Sequence, residues 1–117
     1  MDIEWVRKLC LSFPQSTEKV QWGNNLVFKV AGKMFAVADL EGGGDHWLSF
    51  KCEPATFAEL IERPGIIPAP YLARAHWVAL ERENSIPRTE LKTLLRTAYD
   101  LTVAKLPKKT QSALAGH

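Results

Sequence analysis

The chain has 117 residues, 46% of them hydrophobic, and its 15 Lys and Arg against 13 Asp and Glu give a net charge of +2. That length and apolar content suit one packed domain and exclude a disordered chain, a collagen or a coiled-coil array. The longest uncharged apolar runs, Gly65–Leu72 and Met34–Ala38, fall far short of the roughly 20 residues a membrane span needs. In chain order, Asp2 stands where it can cap a first helix whose apolar positions Ile3, Val6, Leu9, Cys10 and Phe13 recur at helical spacing up to Pro14. Asp2 and Glu4 leave no basic segment for a secretory signal, and two cysteines, Cys10 and Cys52, are too few for a disulfide scaffold. The expectation is a cytoplasmic domain with no membrane partner.

From Lys19 to Cys52 the apolar period changes to two. Runs at Val20–Trp22, Leu26–Val30, Met34–Leu40 and His46–Lys51 are separated by short Gly-bearing stretches, which predicts antiparallel hairpins. Pro54 opens a second helix over Ala55–Glu62 with Phe57, Leu60 and Ile61 on one stripe, and Pro64 stops it. Residues Arg63–Pro70 read as a Pro-rich loop, His76–Glu81 as a fifth strand. Ser85 and Pro87 open a long helix with Leu91, Leu94, Leu95, Ala98, Thr102 and Leu106 along one face, ending at Pro107.

The predicted order α-β-β-β-β-α-β-α describes an α+β fold, an antiparallel sheet of about five strands packed with three helices. Leu48, Phe50, Val78, Leu80, Leu91, Leu95 and Phe28 are its expected shared core. Residues 1–107 form the single domain and 108–117 a basic, flexible tail.

For catalysis the inventory is thin. His46 and Cys52 sit six residues apart on one predicted strand, about 20 Å at about 3.3 Å per residue, too far for one metal or one dyad. No HExxH, CxxC, GxSxG or P-loop pattern occurs, so no catalytic residue, metal or cofactor is expected. Gly42-Gly43-Gly44 reads as a hairpin loop, because a strand and not a helix follows it. Cys10 reads as an inert core thiol; Cys52, at a strand end, is the more exposed of the two.

Two constellations point to binding. Residues 63–117 carry nine bases against four acids, whereas residues 41–62 carry one lysine against five acids. On the last helix Arg88, Lys92 and Arg96 recur at i, i+4 and i+8, a column about 12 Å long at 1.5 Å per residue. It tracks adjacent phosphates on one reading and is a solvated helix face on the other. Strand alternation also sends Trp47 and Lys51 to the sheet face opposite Leu48 and Phe50, and Trp77 to the same side. There the rings and the cation, with Tyr71 nearby, form an open aromatic surface, or they lie beneath the Pro-rich loop with Ile66 and Ile67 as a second small core.

Trp22-Gly23, Val27-Phe28-Lys29-Val30, Gly32-Lys33-Met34-Phe35-Ala36, Lys51-Cys52 before Pro54, Gly65-Ile66-Ile67-Pro68 with Tyr71, His76-Trp77, and Ala98-Tyr99 near Leu106-Pro107-Lys108-Lys109 follow one another in an order that resembles the MmcQ/YjbR family. The resemblance runs over nearly the whole chain. It implies a small bacterial α+β domain with a double-wing, DNA-binding fold, no known reaction and no metal. If the wings are hairpin tips, Ala31-Gly32-Lys33 offers a cation, while Glu41–Asp45 offers carboxylates that repel phosphate. Ala98 also stands where the family often has Ser. The resulting expectation is a non-enzymatic domain that binds DNA with weak sequence specificity through Lys33, Arg88, Lys92 and Arg96. The alternative is a protein-interaction or small-ligand module using Trp47, Lys51, Tyr71 and Trp77.

Overall fold

A computed structural model describes residues 3–41, 45–70 and 72–115. Helix α1 (Ile3–Leu11) buries Val6 and Cys10, one turn apart on its apolar stripe; the expected cap, Asp2, lies outside the described residues. Strands β1 (Ser16–Gln21), β2 (Asn25–Val30), β3 (Lys33–Asp39) and β4 (Leu48–Lys51) follow, then helix α2 (Pro54–Leu60), β5 (Ile66–Pro68) and β6 (Trp77–Leu80), and finally α3 (Arg88–Ala104) and α4 (Lys108–Ala115). The sheet is antiparallel throughout, in the order β1-β2-β3-β4-β6-β5. This is the α+β class the sequence predicts, with one strand and one helix more.

Both additions have a physical reason. Ile66–Pro68 lies inside the stretch read as a loop, but it pairs with β6 at the edge of the sheet, where a proline removes no interior ladder bond. Lys108–Ala115 is not a flexible tail. Leu114 is buried in the main core, and the Gln111 side-chain amide donates to the carbonyls of Ala104 and Leu106 at 3.3 and 2.7 Å, satisfying acceptors that the end of α3 leaves open.

Smaller shifts occur at the strand ends. Trp22 leaves the predicted strand for a turn at φ 50°, and His76 takes a left-handed conformation (φ 62°) after a 3-10 turn at Ala73–Ala75. Ala31 and Gly32, at φ 50° and 79°, close β2 and β3 as a two-residue turn with Val30 opposite Lys33.

The helices cover one face of the sheet. Phe28, Leu48, Phe50, Val78, Leu80, Leu91 and Leu95 share that core as expected. A bulge between Phe28 and Lys29 sets Phe28 opposite Ala36 and Lys29 opposite Met34, so both Phe35 and Ala36 turn inward. Phe35 thereby joins Phe13, Phe28 and Tyr99, its ring lying edge-on to Tyr99 with centroids 5.6 Å apart. The same bulge aims Met34 at the other face of the sheet.

Candidate anion-binding site

On that second face Val27, Val37, Ser49, Ala79 and Ile67 lie opposite one another across five strands. The segment after β5 folds over part of the row. Ala69 and Leu72 pack with Trp77, Ala79, Met34, Val37 and Ile67 into a small second cluster, and the Ala69 amide donates to the Trp77 carbonyl at 3.0 Å. Two clefts flank this cover, and both are lined by Met34 and Leu72.

The first cleft, about 460 Å³, is lined by Lys33, Lys51 and Lys105 around Trp77, Leu106 and Ala75. Its three cations come from three places in the chain. The tight turn at Ala31-Gly32 delivers Lys33, alternation along β4 puts Lys51 on the second face, and Lys105 follows the last residue of α3. The Lys51 ammonium donates to the Ala75 carbonyl at 3.2 Å. Burial, and then the charge of Lys105, hold its pKa below the ordinary lysine value. Among the described residues no carboxylate lines the cleft, and none of the three lysines has an acidic partner within ion-pair distance. Like charges gathered without a counter-ion make a ready site for an anion.

The second cleft, also about 460 Å³, is lined by Trp22, Asn25, Met34, Val37, His46, Ser49, Ala69, Pro70 and Leu72. Trp22 is 62% exposed. Two buried side-chain atoms in this region have no hydrogen-bond partner: His46 Nδ1, on a cleft-lining residue, and Gln21 Oε1, whose residue sits opposite Asn25 across β1 and β2. Glu41 is drawn to the same end of the sheet, where the Asn24 side-chain amide donates to its carboxylate.

The other residues singled out from the sequence are placed differently. Trp47 does not share a face with Trp77. It precedes β4, turns into the main core at 6% exposure and donates its indole N–H to the Arg82 carbonyl at 2.7 Å. Alternation fails there because the regular ladder starts only at Leu48. Trp77 is covered to 3% exposure by the folded-over segment, so the open aromatic surface does not form. Tyr71 lies outside the described residues.

Along α3 the Arg88 guanidinium stacks over Trp5 at 5.3 Å. Arg96 packs over Phe13 and Tyr99 and donates to Asp100 at 3.0 Å, and Lys92 stands exposed between them. Lys33 does not extend this column. It meets α3 at the opposite end, beside Thr102 and Lys105, about 20 to 25 Å from Arg88 at 1.5 Å per residue. Lys105 is not among the residues that the sequence singles out. Its partners in the cleft are 54 and 72 residues upstream, so no local pattern marks them.

The thiols are quiet. Burial pushes the Cys10 thiol up to about 12 and the Cys52 thiol up to about 11, and Cys52 is only 2% exposed, its S–H directed at the His76 carbonyl. Among the described residues no three His, Cys, Asp or Glu gather as a metal site, and no helix is long and apolar enough to cross a membrane.

A protein-family model described as YjbR matches residues 11–101. The crystal structure of a Deinococcus radiodurans protein, described as a DUF419 domain, superposes with a TM-score of 0.86 at 30% identity, over 97% of this chain and 87% of that one. A Pseudomonas syringae protein of known structure shares the fold at a TM-score of 0.67 and 20% identity, covering 87% of this chain and 99% of its own. No curated protein matches.

Proposed function

This chain belongs to the YjbR family, and from that premise we propose that it is a non-enzymatic domain that binds nucleic acid by holding phosphates in the Lys33, Lys51 and Lys105 cleft. The observation that carries the reading is the convergence of three lysines from distant parts of the chain on one concave site that, among the described residues, no carboxylate lines. A phosphate diester is a singly charged, hydrogen-bond-accepting group, and ammonium groups bind it as point charges. Contacts of this kind fix position on the backbone without reading bases, which agrees with weak sequence specificity. Of the two tips weighed as wings, the Ala31-Gly32 turn serves the cleft, whereas Glu41 is bound to Asn24 and contributes negative charge elsewhere. The Arg88, Lys92 and Arg96 column is the competing footprint. It is the weaker one, because aromatic rings and Asp100 already engage its two arginines.

The test is binding of a labelled oligonucleotide, followed by fluorescence anisotropy from 50 to 200 mM salt. Three phosphate contacts give a log–log slope of about −2 to −3, a loss of about 20- to 40-fold over that range. Lys51→Ala/Lys105→Ala should weaken binding and flatten the slope by about two contacts, and Arg88→Ala/Lys92→Ala/Arg96→Ala should do neither. The reverse pattern would move the site to α3, and no binding at 50 mM salt would end the nucleic-acid reading.

A further inference from the structure

We infer that the apolar cleft lined by Trp22, Val37, His46 and Leu72 is a base subsite, which makes single-stranded nucleic acid the preferred partner; the inference rests on the lysine cleft being the phosphate site. The two clefts are neighbours on the second face, either side of Met34 and Leu72, one cationic at the Lys33 end and the other apolar at the Trp22 end. Bases in a duplex are stacked and paired, and cannot enter such a pocket. An unpaired base can, provided something stacks on it and something meets its edge.

Both are present. Trp22 holds a large ring 62% exposed at the lip, on a backbone at φ 50° that a bulky residue rarely adopts. His46 lines the cleft, and its Nδ1 is a buried polar atom without a partner. Such groups are ordinarily satisfied, and the exocyclic amino group of a base is a donor of the right kind. Charge sets the direction. Glu41 and Asp39 lie at the Trp22 end, which disfavours phosphate there and leaves the backbone to the lysines.

The experiment compares a fluorescein-labelled mixed-sequence 12-mer as single strand and as duplex, at 50 mM salt, on wild type, Trp22→Ala, Trp22→Phe and Lys51→Ala/Lys105→Ala, each checked by its urea midpoint. The wild type should bind the single strand at least tenfold more tightly than the duplex. Trp22→Ala should weaken single-strand binding by about 5- to 150-fold, the range of one lost base stack, and Trp22→Phe should recover most of it. Equal affinity for both forms, with Trp22→Ala matching wild type, overturns the base subsite; a lysine dependence in that same experiment leaves the phosphate reading standing. If the lysine double variant binds as tightly as wild type, the phosphate reading falls and the subsite falls with it.

Discussion

The sheet has two apolar faces, and they are finished differently. Under the helices, polar groups that enter the core find partners. Tyr99 donates to the Pro14 carbonyl at 2.6 Å, Trp47 to Arg82 at 2.7 Å, and the Thr102 hydroxyl to Ala98 at 2.9 Å. Two arginine clusters, Arg7 with Glu4 and Glu18 and Arg63 with Glu59 and Glu90, tie α1 to β1 and the end of α2 to α3. On the opposite face Lys51 sits against Lys105, and His46 Nδ1 and Gln21 Oε1 are unpaired. A fold held together on one side can leave unfavourable groups on the other, and those groups are where a ligand gains most.

The largest expected difference between the faces is in stability. Leu95, fully buried under the helices, should cost about 2 to 5 kcal/mol when changed to Ala. Ile67, half-buried in the smaller cluster, should cost less than about 2 kcal/mol by the same measure. Urea unfolding of both variants checks this; equal losses would break the comparison, because the second face would then be as structural as the first.

Acid comes next. Side-chain hydrogen bonds from Arg7 and Arg63 hold the Glu18 and Glu90 carboxyls below their ordinary value of 4.5. The folded state therefore binds fewer protons than the unfolded state in that range. The stabilisation is complete above about pH 4.5 and is lost as the pH falls through the lowered folded values. The urea midpoint should stay level with respect to these groups from pH 7 to about 5 and then fall. Glu18→Gln/Glu90→Gln should flatten the fall, and since these are solvent-screened pairs the effect is about 1 kcal/mol or less.

The smallest effect comes from a charge that the fold disfavours instead of one it pairs. Lys51 is a base whose folded pKa is lowered, so the folded state disfavours its charged form, and stability rises as the pH climbs through that lowered value towards the ordinary 10.5. At neutral pH, Lys105→Met should raise the urea midpoint slightly, by a few tenths of a kcal/mol. It should also return the Lys51 pKa, followed by NMR, towards the ordinary value while weakening oligonucleotide binding. A variant that gains stability and loses binding sharpens the division between the faces; one that loses both would mean that Lys105 is structural.

Much of the closed face was legible in the chain. The stripes of α1 and α3 and the alternation through Phe28, Leu48, Phe50, Val78 and Leu80 identify the core, because burial imposes the periods of helix and strand on the apolar residues directly. Lys33, Lys51 and Trp77 were marked as binding residues and do line one cleft, but Trp47 was grouped with them wrongly, since its alternation stops one residue short of the ladder. Lys105 was missed. A Pro-rich stretch hid β5 because edge pairing tolerates a proline, and the polar segment Lys108–Ala115 hid α4 because it is Leu114, near its end, that holds it to the core.

The sequence by itself determined the class of fold, its antiparallel hairpins and the face that carries the core, since each depends on residues a few positions apart. Only the tertiary structure decided where the cations meet. A bulge between Phe28 and Lys29 turns Met34 outward, a two-residue turn places Lys33, and the 17-residue length of α3 carries Lys105 across to it. Each is a small geometric choice whose consequence appears 50 or more residues away, and a charge cluster assembled over such distances leaves no period for the sequence to show.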